Sequence, residues 1–164
     1  MTATNTSDNP AGEPVWRVKN SAIHGRGVFA RRKIRAGTLL IEYTGDRISY
    51  DQACEDAAAR DDESNHTFLF SLEDGSVIDG GSNGNDARWI NHCCEPNAEA
   101  REEEGRIFIH ALRDVARGEE LNYDYGLVLD ERYTPALKRS YACRCGTPGC
   151  RQTMLAPKRK RKAG

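Results

Sequence analysis

Arg88-Trp-Ile-Asn-His-Cys-Cys-Glu-Pro-Asn97 is the most informative segment of this sequence. Its ten positions hold an aromatic ring, a branched apolar residue, two amides, an imidazole, two thiols and a proline. The segment is too polar for a core strand, because buried polar groups need partners, and too apolar for a solvated loop. We interpret it as a bend whose polar groups face a pocket. Its expected partners are two distant segments, residues 120–126 and 143–150.

Length and composition indicate one domain of modest size. The chain has 164 residues, 38% of them hydrophobic, and a formal net charge of -1. This length and hydrophobic content are enough to form a single hydrophobic core. No apolar run approaches the roughly 18 residues of a membrane span, and the N-terminus lacks the basic-then-apolar pattern of a secretory leader. These features predict a soluble intracellular protein with no membrane partner.

Three of the six cysteines form a tight Cys-x-Cys-x4-Cys cluster, Cys143, Cys145 and Cys150. Spacing this close favours a zinc site over three separate disulfides or free thiols, and the sequence shows no signal for export. A structural zinc site has four ligands, so the cluster lacks one. The remaining cysteines are Cys54, Cys93 and Cys94.

Strand patterns dominate the chain, and helices are few. Residues 1–14 are polar and predict a disordered tail. Ser49 is the expected N-cap of a surface helix that reaches residue 60, in which Cys54 is predicted to be a packing residue. Residues 67–72 and 77–79 predict a hairpin. Residues 127–141 contain Leu129, Tyr133 and Leu137 at helical spacing, broken at Pro135, and predict a short irregular helix.

Residues 88–97, 120–126 and 143–150, in this order, resemble the SET-domain protein lysine methyltransferases that carry a post-SET segment. The resemblance covers about residues 15–155. It implies a mainly β (β-rich α+β) fold of several short sheets, with a knot-like C-terminal crossing and a small zinc-bound segment. The implied organisation is a tail (1–14), a SET domain (15–129), a post-SET segment (130–155) and a basic tail (156–164).

The resemblance implies methyl transfer from S-adenosylmethionine to the side-chain amine of a protein lysine. A lysine of pKa about 10.4 is protonated at neutral pH, and a narrow aromatic channel disfavours that charged form. By the family motif Glu-Leu-x-Tyr-Asp-Tyr, Tyr125 is the catalytic residue, and Tyr43 and Tyr123 wall the channel. A tyrosine at position 123 is associated with mono- and dimethylation.

The resemblance also assigns the cofactor and metal ligands. The cofactor-binding set is Gly25, Arg26, Gly27, Tyr43, Arg88, Asn91, His92 and Tyr125. The fourth zinc ligand is Cys94, with Cys93 as the rival, so the metal set is Cys94, Cys143, Cys145 and Cys150. The zinc is expected to be structural.

Two departures from the family pattern bear on activity, Asp46 in place of glutamate and Cys93 in place of serine, whereas Trp89 in place of phenylalanine is expected to be a core residue either way. The shorter Asp46 is expected to loosen a hydrogen bond at a strand end. These departures support an alternative function, a catalytically weak SET-like zinc module that acts as a protein- or nucleic-acid-binding scaffold.

The expected partner is a lysine-bearing protein, histone or histone-like, with nucleic acid bound only non-specifically by the basic tail. Residues 157–162 of that tail suit nuclear import, a nucleic-acid tether, self-methylation or simple solvation. The expected location is the nucleus in a eukaryote, and the cytoplasm or a host nucleus for a microbial protein.

Overall fold

The structure is a computed structural model that describes residues 12–59, 68–129 and 131–157. The predicted N-terminal tail up to residue 11 and the basic tail from residue 158 lie outside the described residues. Among the described residues, no helix has the length and apolar content to cross a membrane.

Strands make up most of the regular structure, which confirms the predicted β-rich fold class. The described strands are β1 (Trp16–Asn20), β2 (Arg26–Ala30), β3 (Leu39–Tyr43), β4 (Asp46–Ser49), β5 (Leu69–Ser71), β6 (Ser76–Asp79), β7 (Asn91–His92), β8 (Ala98–Glu103), β9 (Arg106–Ala111) and β10 (Glu120–Tyr123). The helices are α1 (Tyr50–Ala59), α2 (Pro135–Ser140) and a short 3-10 helix, Asp86–Trp89.

Three small sheets surround one core. Their strand orders are β1-β2-β10-β7, β3-β9-β8 and β4-β6-β5. Alternation along β9 buries Ile107, Ile109 and Ala111 almost completely and turns the residues between them outward, as the two-residue period of a strand requires. These side chains pack with Val28 of β2 and Leu121 of β10, so the sheets share one apolar centre.

Both α-helices begin at recognisable signals. The Ser49 hydroxyl accepts a hydrogen bond from Gln52 N (3.1 Å), which confirms the predicted N-cap of α1. The prediction for Cys54 is wrong, because α1 buries only Ala53 and the thiol is exposed. The short helix predicted within residues 127–141 is present as α2, which starts at Pro135, where the missing N–H costs nothing.

The predicted hairpin of residues 67–72 and 77–79 is present as β5 and β6, within the part of it that the structure describes. A second hairpin joins β8 to β9 through Glu104 and Gly105, which both have positive φ (49° and 73°). Positive φ at both central residues matches the right-handed twist of paired strands.

Candidate active site

The site begins where β7 and β10 lie side by side. The two strands pair in parallel, with Asn91 opposite Asn122 and His92 opposite Tyr123. β10 also pairs with β2, so that Glu120 lies opposite Phe29. We call Gly25, Arg26 and Gly27, where the chain enters β2, the glycine loop. Segments almost 100 residues apart in the chain therefore meet, and the predicted partnership of residues 88–97 with residues 120–126 is confirmed.

Asn91 fastens the glycine loop to this strand pair. Its side-chain nitrogen donates to Glu120 Oε1 (2.8 Å) and to the carbonyl of Arg26 (3.0 Å), and it also lies within hydrogen-bond distance of Ser21 Oγ and the His24 carbonyl. Asn91 is only 4% exposed, so these bonds are shielded from water. The amide thus fixes the position of the loop that was predicted to line the cofactor pocket.

The two glycines of this loop serve different physical needs. Gly25 adopts a left-handed conformation (φ +43°), which side chains rarely tolerate. At Gly27, a Cβ would lie 2.2 Å from Glu120 Oε1. Gly27 therefore makes room for the Glu120 carboxylate, which also accepts from the Ser21 hydroxyl (2.8 Å).

Two guanidinium groups flank the ring of Trp89. The Arg88 guanidinium carbon lies 4.7 Å and that of Arg26 5.4 Å from a ring centroid of Trp89. Arg88 Nε is buried, and it has no hydrogen-bond partner among the residues that the structure describes. A buried, positively charged donor of this kind suits the carboxylate of an amino-acid-like cofactor such as S-adenosylmethionine.

An aromatic cluster lines the other side of the β7–β10 pair. The ring centroids of Tyr123 and Tyr125 are 4.9 Å apart, and Phe70 connects Tyr123 (6.3 Å) to Tyr43 (5.5 Å). The hydroxyl of Tyr125 donates to the carbonyl of Ile90 (2.5 Å). The structure thus brings together the three tyrosines that were predicted to act on the substrate.

Burial keeps these hydroxyls neutral. Desolvation is the main cause that raises the pKa values of Tyr43, Tyr123 and Tyr125 above the ordinary value for tyrosine. The Tyr43 hydroxyl donates to the carbonyl of Phe68 (2.6 Å). Two of the tyrosine hydroxyls are therefore held in fixed directions by main-chain acceptors.

His92 has both ring nitrogens engaged. Its Nδ1 accepts a hydrogen bond from Tyr125 N (3.0 Å), so the proton of the neutral ring is on Nε2. Nε2 lies 3.5 Å from Cys94 Sγ. Burial lowers the pKa of His92 to about 4, with Asp124 acting in the opposite direction. The ring links Tyr125 to a cysteine, and its predicted contact with the cofactor stays a prediction.

The four cysteines predicted as metal ligands lie together and form a candidate metal centre. Their sulfur atoms all lie within 4.8 Å of one another, and those of Cys94 and Cys143 are 3.7 Å apart. A tetrahedron with zinc–sulfur bonds of about 2.3 Å has edges of about 3.8 Å, so the arrangement fits zinc. The rival ligand Cys93 is outside this group, and its thiol donates to the Glu95 carbonyl (3.4 Å). These sulfur atoms could hold a zinc ion.

The shorter carboxylate of Asp46 does not leave the strand end loose. It accepts from Ser82 Oγ (2.6 Å) and Asn83 Nδ2 (3.0 Å). Asp46 N also donates to the Ser82 carbonyl (2.9 Å). The glycine-rich loop that follows β6 thus supplies two donors to the shorter side chain, and the comparison with a glutamate at this position stays a prediction.

Four residues of the site escaped the sequence interpretation. Glu120 and Asp124 belong to a quoted motif, yet acidic residues next to tyrosines carry no signal for hydrogen bonding to a loop or to an arginine. Ser21 and Arg151 lie far from that motif in sequence. Only their position in space reveals their contacts with Glu120 and Asp124.

The family model described as "SET domain" matches residues 25–126, which include the glycine loop, the β7 segment and the tyrosines. The chain therefore belongs to the SET-domain family. The matched region ends before the three C-terminal cysteines.

Curated relatives extend the similarity beyond the matched domain. The chain is 39% identical to histone-lysine N-methyltransferase 2B of Homo sapiens over 82% of its own length and 5% of that protein. It is 40% identical to the H3 lysine-4-specific histone-lysine N-methyltransferase of Candida albicans over 80% of its length and 13% of that protein. The chain thus spans a small part of the length of these relatives.

A solved structure has a similar fold. It is described as ctPRC2 in an autoinhibited conformation bound to S-adenosylmethionine. The two chains are 32% identical, with a TM-score of 0.62, and the match covers 69% of this chain and 15% of the other.

Proposed function

We propose that this protein transfers a methyl group from S-adenosylmethionine to the side-chain amine of a lysine in a protein substrate, histone or histone-like. The observation that carries the proposal is the cluster formed by the buried Tyr43 and Tyr123 and the half-buried Tyr125, beside Asn91 and His92. Relatives named histone-lysine N-methyltransferases and a similar fold described as bound to S-adenosylmethionine support it.

The tyrosines solve the main difficulty of the reaction, which is the proton on the lysine. An ammonium group that enters a dry aromatic site loses hydration, so its pKa falls and the free amine becomes accessible. The Tyr125 hydroxyl already donates to the Ile90 carbonyl, so its oxygen is left to accept an N–H from the amine. This contact orients the nitrogen lone pair, and orientation supplies much of the rate.

The cofactor, when bound, supplies a methyl carbon made electrophilic by its sulfonium. On the proposed function, Gly25, Arg26, Gly27, Arg88 and Asn91 hold it, together with His92. The two arginines provide positive charge for its carboxylate. Tyr43 and Tyr125 complete the pocket where the cofactor and the lysine meet.

We further propose that the products are mainly mono- and dimethyl-lysine. Tyr123 is buried against Tyr125, and its hydroxyl occupies space that a phenylalanine would leave free for a larger amine. A histone substrate would be met in a nucleus, that of the cell itself or of a host.

The test is transfer of label from S-adenosylmethionine to a panel of lysine-rich proteins that includes histones. We expect Tyr125→Phe to lower kcat about a hundredfold, because loss of an orienting contact misplaces the amine. Tyr50→Phe, at an exposed position of α1, is the matched control and should leave kcat unchanged. Mass spectrometry should find mainly mono- and dimethyl-lysine, and trimethyl-lysine as the main product would refute that part of the proposal.

The alternative function predicts a different set of results. A catalytically weak zinc module would bind zinc and stay folded, yet would transfer no label to any substrate. Calorimetry separates the two cases, because such a scaffold has no need of the cofactor pocket. Absence of both label transfer and cofactor binding would therefore contradict the proposed enzyme.

A further inference from the structure

Arg151 makes one contact through its side chain and a different one through its main chain. Its guanidinium forms a bidentate pair with Asp124, with Nη1–Oδ2 at 2.8 Å and Nη2–Oδ1 at 3.1 Å. Its main-chain N–H donates to Cys94 Sγ at 3.4 Å. Bidentate pairs fix orientation as well as distance. One residue therefore joins the four-cysteine centre to the end of β10.

The partner carboxylate belongs to the segment that carries the proposed catalytic tyrosine. Asp124 immediately precedes Tyr125, and its Oδ1 also accepts from Gly126 N (3.0 Å). Burial is the largest single influence on Asp124 and raises its pKa, but the hydrogen bonds from Arg151 and Gly126 N and the charge of Arg151 together bring the pKa below the ordinary value. The carboxylate is thus charged and braces the main chain on both sides of Tyr125.

A second link runs from Tyr125 to the same sulfur atom. Tyr125 N donates to His92 Nδ1 (3.0 Å), and His92 Nε2 lies 3.5 Å from Cys94 Sγ. The two links differ in strength: the Arg151 pair is bidentate and charged, whereas the His92 contact with sulfur is weak. Arg151 is therefore the stronger connection.

The charge of the metal centre reinforces this connection. Four thiolates around one zinc ion would carry a net charge of about -2, which attracts the guanidinium of Arg151. Arg151 Nε is buried without a hydrogen-bond partner among the described residues, so the group depends on its neighbours' charge. Metal–thiolate bonds would hold Cys94 and Cys150 in one rigid cluster, so zinc would restrain Arg151, the residue that follows Cys150.

We infer that Arg151 is a positioning residue that couples occupation of the four-cysteine centre to the placement of Tyr125. This inference rests on the proposed function only in the role it gives to Tyr125. The metal centre then controls the reaction site through the Asp124–Arg151 pair.

The experiment compares the full-length, zinc-loaded chain with its Arg151→Gln variant. Hydrogen exchange measured by mass spectrometry follows the amides of residues 124–127, and native mass spectrometry counts zinc. We expect Arg151→Gln to retain one zinc ion while exchange at these amides becomes about tenfold faster. Zinc removal from the wild type should produce at least the same acceleration. Arg101→Gln, which breaks an exposed ion pair with Glu99 on β8, is the control and should change neither readout.

The kinetic constants kcat and KM provide a second measurement, which distinguishes a positioning role of Arg151 from a purely structural one. Arg151→Gln should lower kcat at least tenfold and leave KM for the cofactor within about threefold of the wild type, and Arg151→Lys should restore part of kcat. Asp124→Asn should lower kcat as much as Arg151→Gln does. The double variant should have a kcat no lower than that of either single variant, because the two residues act as a pair.

Two outcomes would overturn the inference: unchanged exchange at residues 124–127 in zinc-loaded Arg151→Gln, or loss of zinc from that variant. The exchange measurement needs no substrate. A failure of the wild type to methylate any protein would therefore contradict the proposed function and leave the test of Arg151 intact.

Discussion

Gly27 has no room for a methyl group, and its replacement by alanine tests how the glycine loop is held. A Cβ at this position would lie 2.2 Å from Glu120 Oε1 and 3.0 Å from the Cβ of Ser21. Ordinary contact begins at 3.4 Å, so the carboxylate has to retreat by about 1.2 Å. The backbone of Gly27 lies outside the left-handed region, so the expected cost comes from this clash.

The hydrogen bonds of Glu120 determine how much stability Gly27→Ala should cost. Its Oε1 accepts from Asn91 Nδ2 and from Ser21 Oγ, both at 2.8 Å, and a retreat of that size stretches both bonds beyond useful length. A bond to a charged group contributes roughly 1.5–3 kcal/mol. Asn91 keeps its bond to the Arg26 carbonyl, so we expect Gly27→Ala to lower the free energy of unfolding by roughly 2–3 kcal/mol. This corresponds to a decrease in Tm of roughly 5–10 °C for a domain of this size.

The assay is denaturant unfolding of the zinc-saturated protein in three backgrounds. In Glu120→Ala the obstacle is gone, and Gly27→Ala should cost less than about 1 kcal/mol. In Glu120→Gln the side chain keeps its shape but its hydrogen bonds are to a neutral group, so the cost should lie between those in the other two backgrounds. An equal cost in the Glu120→Ala and wild-type backgrounds would refute the reasoning, as would a cost below about 0.5 kcal/mol in the wild type.

Two further predictions concern the cysteines and the tyrosines. Cys94→Ser should abolish stoichiometric zinc binding, whereas Cys93→Ser should retain one zinc ion per chain; metal analysis decides between them, and zinc loss in Cys93→Ser would contradict the ligand set. Burial raises the pKa values of Tyr43 and Tyr125 in the folded state, so their contribution to stability is complete below pH of about 10 and is lost as the pH rises above it. Urea unfolding between pH 8 and 11 should show this decline, with a shallower slope in Tyr43→Phe than in the wild type.

The sequence was sufficient where a residue's role depends on its neighbours in the chain. Ser49 begins α1 because its hydroxyl reaches an amide three residues later. The alternation of Ile107 and Ile109 specifies the buried face of β9 without reference to any other strand. The four-cysteine centre was partly predictable, because three of its ligands lie within eight residues of one another.

The features of the fold and site that could not be predicted from the sequence depend on contacts between distant segments. Asp124 and Arg151 are 27 positions apart, and surface pairs of aspartate and arginine are too common for such a spacing to indicate contact. Gly27 and Glu120 are more distant still, so the reason for the missing Cβ could not be inferred from a Gly-x-Gly pattern. Cys54 has the burial tendency of its residue type, but α1 turns that position to solvent.

The position of β2 between β1 and β10 has a consequence for the synthesis of the chain. β1 pairs with β2 at once, but the other edge of β2 waits for β10, which follows almost 100 residues later. At ribosomal rates of about 5–20 residues per second, this delay is roughly 5–20 s. During that time a strand with an apolar face exposes unpaired N–H and C=O groups, which invite association with other chains. Pairing with β10 covers this edge, so the β2 edge is protected only once residues 120–123 have been synthesised.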